Sequence, residues 1–176
     1  MTIRFFGRAA IAAMGLSCGL SSGAVRCDDA FAVSVSSHHS PSKESKHMHA
    51  SGSFEVKLTP QPLAPEIASA RLGIMTIDKQ FSGDLQASSL GEMLSAMGDV
   101  AGSAGYVAME RVTGSLHGRA GSFVLQHTGT MHRGAPQLSV SVVPDSGTGE
   151  LAGLSGSMAI QIEQGRHSYT FDYSLP

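Results

Sequence analysis

The stretch Gly102–Gly134, GSAGYVAMERVTGSLHGRAGSFVLQHTGTMHRG, constrains this chain most. It holds two long runs rich in β-branched and aromatic residues, contains no proline, and breaks at Gly118-Arg119-Ala120-Gly121. Such runs favour extended backbone with side chains alternating between two faces. In the first run Tyr106, Ala108, Glu110, Val112 and Leu116 share a face, and in the second Phe123, Leu125, His127 and Met131 do so. Two strands alone are marginal in water, so further strands must complete a sheet around them.

The rest of the chain supplies those strands. Phe54, Val56 and Leu58 alternate with Glu55 and Lys57, and Pro60, Pro62 and Pro65 then end that run. Ala70–Phe81 reads as a strand apolar on both faces, with Leu72, Ile74 and Thr76 on one and Met75 and Ile77 on the other. Leu85–Met97 is ambiguous: Leu90, Met93, Leu94 and Met97 fit a helical period, whereas Gly91 and the serines before it favour two strands bent at that glycine. Pro136–Val143 is a further strand, Pro144–Gly149 a turn, and Glu150–Leu154 a short strand candidate. Gly156–Glu163 and His167–Leu175 make a final hairpin around Gln164-Gly165-Arg166, with Tyr169, Phe171 and Tyr173 forming an aromatic stripe. The stripe suits a core, a subunit interface or a ligand wall. About eight strands and no secure helix predict an all-β fold, and a closed antiparallel barrel is preferred because closure removes exposed edges.

The fold does not need the whole chain. Arg4 and Arg8, the apolar run Ala9–Leu20 and the small residues Ser22-Gly23-Ala24 have the pattern of a secretory signal peptide cleaved after Ala24. Residues 1–24 are therefore expected to be a signal, 25–51 a flexible His/Ser-rich tether, and 52–176 the barrel, which places the protein in the periplasm or outside the cell. Removal of Cys18 with the signal leaves Cys27 alone, so no internal disulfide and no thiolate zinc site is expected. Twelve Lys and Arg against 14 Asp and Glu, without basic patches interleaved with aromatics, argue against a nucleic-acid partner.

Candidate chemistry rests on few residues. Glu110 lies among apolar neighbours on its face; facing inward, its carboxyl would titrate high unless paired, with Arg71, Arg119 or Arg133 as candidate partners. His127 lies beside Phe123 and Leu125, and suits a satisfied core histidine, a base or a ligand-orienting donor. Metal motifs are lacking in the domain, and the Gly147-Thr148-Gly149 and Gly118/Gly121 loops lack a phosphate loop's lysine and following helix, so neither metal nor cofactor is expected.

Asp78–Leu85, Gly91–Leu94, Gly105–Gly114, Gly118–His127, Val143–Gly149 and Gly165–Phe171 together resemble a family of uncharacterised bacterial proteins, over about Gly52 to Pro176. The resemblance implies a barrel similar to that of plant allene oxide cyclases: eight antiparallel strands around a central cavity, commonly assembled into oligomers. Three functions follow as expectations. The first is binding of a small apolar molecule in the lumen without chemistry, with Tyr106, Glu110, Phe123, His127, Tyr169 and Phe171 as ligand-lining residues. The second is a cofactor-free isomerase or cyclase that uses Glu110 or His127 as its catalytic group. The third is a homo-oligomeric interaction protein with a filled barrel and a flat outer wall.

Overall fold

A computed structural model describes residues 46–176. The signal peptide and most of the tether read from the sequence lie outside those residues. Eight strands follow one another: β1 (Lys46–Gln61), β2 (Leu72–Gly83), β3 (Leu85–Met97), β4 (Ala104–Leu116), β5 (Arg119–His132), β6 (Ala135–Val142), β7 (Ser155–Glu163) and β8 (Arg166–Leu175). Each pairs antiparallel with the next, and β8 returns to β1 to close a barrel. The all-β closed barrel expected from the sequence is therefore the fold.

Several boundaries move. β1 starts at Lys46, six residues before Gly52, because Lys46–Ser51 pair with β8 from Leu175 to Thr170. β3 is one unbroken strand through Gly91, paired on both sides, so the helical spacing of Leu90, Met93, Leu94 and Met97 is coincidental. Leu90 and Leu94 face the outside, whereas Met93 faces inward. The break between β4 and β5 is a two-residue turn at His117-Gly118, one step earlier than the Gly118–Gly121 reading. Positive φ at His117 (48°) and Gly118 (78°) gives the mirror-image turn that matches the twist of a hairpin. Arg133-Gly134 and Gln164-Gly165 repeat it. Glu150–Leu154 forms no strand; Gly149–Leu151 is a single 3-10 turn.

Strand alternation decides what enters the barrel, and the two ends differ. At the end holding the His117-Gly118 turn, the long β6–β7 connection folds back and buries Leu151 and Leu154. Beneath it pack Leu85, Val112, Leu116, Phe123, Leu125, Phe171, Tyr173 and Leu175. The rings of Phe123 and Phe171 stack at 5.8 Å, and those of Phe171 and Tyr173 at 5.2 Å. His117 Nδ1 lies 2.7 Å from the Tyr173 hydroxyl and so seals that end with a hydrogen bond. At the opposite end the 3-10 turn Pro65–Ala70 buries none of its residues. There the inward positions Leu58, Leu138 and Ile162 remain 47%, 42% and 39% exposed.

Candidate functional site

Four consecutive strands each send one polar side chain into the lumen, between the packed end and the open one. Lys79 comes from β2, Ser89 from β3, Glu110 from β4 and His127 from β5. Register explains the meeting: Lys79 stands opposite Ser89, and Gly91, two residues on, stands opposite Glu110. His127 stands opposite Ala108, so it is diagonal to Glu110. Gly91 supplies the room, since a Cβ there would lie 2.7 Å from Glu110 Cα and Cβ.

The carboxylate of Glu110 accepts three hydrogen bonds. Lys79 Nζ donates to Oε1 at 2.7 Å, His127 Nε2 to the same oxygen at 2.8 Å, and Ser89 Oγ to Oε2 at 2.8 Å. The side chains of Lys79, Glu110 and His127 are 7%, 0% and 4% exposed. An ionised pair so deeply buried is costly unless every oxygen is satisfied, and here both are. The Lys79 ammonium also lies 5.0 Å from the Phe54 ring centroid and 5.8 Å from that of Phe81, within cation–π range.

Burial alone would push the Glu110 carboxyl up, but the His127 hydrogen bond and the charge of Lys79 outweigh it and bring the pKa down to about 2. The rise expected of an unpaired carboxyl is thus reversed by pairing. The partner is Lys79 and none of the arginines considered; Arg71 instead pairs with Asp99 at 2.6 Å on the surface. A carboxylate held that low is a weak proton acceptor near neutral pH, so Glu110 is suited to orienting and charging its neighbours. With Glu110 ionised, His127 must carry its proton on Nε2 to make the short contact. Among the described residues no three His, Cys, Asp or Glu side chains form a cluster able to hold a metal ion.

Two more polar side chains border the quartet. Tyr106 titrates above the usual phenol range because of burial and then the negative charge of Glu110. His167 titrates low because of burial and then the positive charge of Lys79. Of the residues singled out from sequence, the structure brings Glu110 and His127 into direct contact and sets Tyr106 beside them. Phe123 and Phe171 lie in the packed end, and Tyr169 is buried with its hydroxyl accepting from the Leu85 amide at 2.9 Å. Sequence reasoning missed Lys79, Ser89 and His167. The signal for Lys79 was present: Met75, Ile77, Lys79 and Phe81 continue one period-two face. A surface concavity of about 520 Å³ is lined by residues such as Ile74, Leu94, Val107 and Met109, and by none of Lys79, Ser89, Glu110 and His127.

A barrel of eight sequential antiparallel strands, closed at one end by a loop and carrying a buried ion-pair cluster across β2–β5, defines the class of protein. The chain belongs to the family described as protein of unknown function (DUF3224), whose model matches residues 50–173. It is similar to the crystal structure of a DUF3224-family protein of unknown function from Shewanella oneidensis MR-1. The two are 53% identical with a TM-score of 0.67, over 73% of this chain and 97% of that one. No curated protein matches the chain. No helix among the described residues is long and apolar enough to cross a membrane.

Proposed function

We propose that this is an exported barrel that binds a small, largely apolar molecule in its open end without transforming it. One observation carries the reading: Leu58, Leu138 and Ile162 point into the barrel by register, yet remain substantially exposed. A strand face turned inward normally buries its apolar residues, so inward-facing apolar residues left exposed at the mouth offer a surface to a guest. Half-buried Val56, Met75, Met93 and Ile160 continue that mouth toward the floor made by Lys79, Glu110 and His127. On this reading the ligand contacts lie at the open end, while Phe123, Tyr169 and Phe171 belong to the core. The low Glu110 pKa weighs against its use as a proton acceptor.

The test is retention. Purified protein is incubated with cell extract, washed, and extracted for mass spectrometry, beside a Leu138→Glu variant that places a charge in the mouth. A small molecule enriched on the natural protein and lost from the variant is expected; equal retention by both, or none, overturns the reading.

A second reading has its own observation. Leu90, Leu94, Val107 and Met109 are exposed together on the outer wall of β3 and β4, where opposite rows pair Leu94 with Val107. Such a patch suits self-association into a homo-oligomer. Sedimentation of the natural protein and of Met109→Lys decides it: a concentration-dependent dimer abolished by the lysine is expected, and a monomer at all concentrations removes this reading.

A further inference from the structure

We infer that Tyr106 and His167 form the polar recognition pair of the barrel mouth, and that the ligand's polar group is uncharged, a carbonyl or a hydroxyl, on an otherwise apolar body. This rests on the ligand-binding reading above and specifies what that site takes.

The inference starts from what the inward-facing polar side chains are already doing. Lys79, Ser89 and His127 are committed to Glu110. Tyr169 accepts from the Leu85 amide, Tyr173 bonds His117, and Ser95 donates to the Gly73 carbonyl. Tyr106 and His167 also face inward: Tyr106 stands opposite Ser95 and Gly129, and His167 opposite Phe54 and Ile162. Neither hydrogen-bonds to another side chain or to backbone among the described residues. Both are only half-buried, so a guest in the mouth can reach them. They are the unspent hydrogen-bonding capacity of this lumen.

Both are also held in place. The Tyr106 ring lies directly over Gly129, where a Cβ would approach a ring carbon to 2.1 Å, so the glycine is what lets the ring lie against the wall. The His167 ring packs on Phe54 at 5.0 Å. They occupy β4 and β8, on opposite sides of the barrel in strand order. A site with fixed donors and acceptors loses little on ordering when it binds.

Charge decides the class of ligand. The floor is already balanced, with the ammonium of Lys79 against the carboxylate of Glu110. A ligand carboxylate or ammonium would leave water for a floor whose two opposite charges already pair with each other, and burying such a charge is heavily penalised. The two free groups are neutral near neutral pH. Burial and the charge of Glu110 keep the phenol protonated, and burial and the charge of Lys79 keep the imidazole uncharged. A phenol donates to a carbonyl or hydroxyl oxygen, and a neutral imidazole serves as donor or acceptor.

The experiment uses the uncharged fluorophore N-phenyl-1-naphthylamine on the full chain, displaced by three matched ten-carbon chains: 2-decanone, 1-decanol and decanoate. The ketone and the alcohol should displace it at concentrations about tenfold below that needed for decanoate, a step of about 1.4 kcal/mol. Tyr106→Phe should weaken the ketone roughly 3- to 10-fold, the worth of one hydrogen bond. His167→Phe should do the same to the alcohol. The ligand series on the natural protein needs no variant and carries the test even where a variant folds poorly. Decanoate displacing as well as the ketone and alcohol overturns the inference, as do both variants leaving all three chains unchanged; the ligand-binding reading survives either result. A fluorophore that does not bind, or binds equally to Leu138→Glu, removes the ligand-binding reading itself and this inference with it.

Discussion

The two ends of the barrel are built from the same strands and the same alternation, yet one is a core and the other an opening. On β1, Ala50 and Phe54 are buried, whereas Leu58, on the same face, is 47% exposed. On β7, Met158 is buried and Ile162 is not. The connections account for the difference. The β6–β7 connection brings Leu151 and Leu154 over one end, tied down where the Thr148 amide donates to the Ser122 carbonyl at 2.8 Å. Pro65–Ala70, at the other end, has none of its own residues buried. Between the ends sits the Glu110 cluster, so the molecule pairs a stabilising half with a half whose apolar surface is left unsatisfied. Burial contributes to stability roughly in proportion to area removed from water, and only one half collects it fully.

The sharpest way to break this comparison is to truncate matched side chains at the two ends. Phe171→Ala removes a fully buried ring stacked between Phe123 and Tyr173 and should cost about 3–5 kcal/mol in urea-unfolding free energy. Leu138→Ala at the mouth should cost less than about 1 kcal/mol. Equal losses at the two positions would show that the mouth is closed in solution and would remove the asymmetry.

The next largest effect tests the cluster between the ends. Lys79→Met leaves Glu110 buried with its strongest countercharge gone, which should cost about 3–5 kcal/mol. Adding Glu110→Leu to that variant should recover most of the loss, since an apolar pair in place of a buried ion pair is often neutral. Additive losses in this double-mutant cycle would show that Lys79 acts independently of Glu110.

The same cluster gives a pH signature. The Glu110 carboxyl lies at about 2 in the folded protein against 4.5 for the free group. A depressed carboxyl stabilises the folded state above the unfolded pKa, and that contribution disappears as pH falls from about 4.5 toward about 2. The full loss is on the order of 3 kcal/mol. Unfolding free energy should therefore fall over that window in the natural protein and much less in Glu110→Gln. An unchanged acid slope in the variant would remove Glu110 as its source.

How much of this was legible in the sequence follows from what each residue depends on. The faces of β4 and β5 were readable because alternation is local: Tyr106, Ala108 and Glu110 had to share a side, as did Phe123, Leu125 and His127. The meeting of Glu110 with His127 follows once the two strands form a hairpin. Lys79 was not recognised, since a lysine between Asp78 and Gln80 reads as solvated, and its partner stands 31 residues away. The open end was also hidden. Leu58 has the same pattern as Phe54, and its exposure is decided by whether a distant loop covers it. β3 was ambiguous for a related reason: a strand with apolar residues on both its inner and outer sides imitates a helical stripe, and Gly91 with its preceding serines favoured the strand that forms.

The smallest stability effect carries the functional half of the comparison. Leu58→Ser and Ile162→Ser each remove an apolar group that is already half in water, so the unfolding free energy should change by less than about 1 kcal/mol. In a mouth that holds an apolar guest, each should nevertheless weaken the uncharged fluorophore several-fold, because the contact area lost is contact with the guest. At about 25 cal/mol per Å², losing roughly 40 Å² of apolar contact corresponds to about 1 kcal/mol, or a five-fold change in Kd. Truncating the fully buried Leu116 to Ala should do the reverse, lowering stability by about 2–5 kcal/mol and leaving affinity unchanged at temperatures where the variant remains folded. Affinity that tracks stability across the three variants would mean that the fluorophore reports the folded fraction and that the two ends do not divide the work between them.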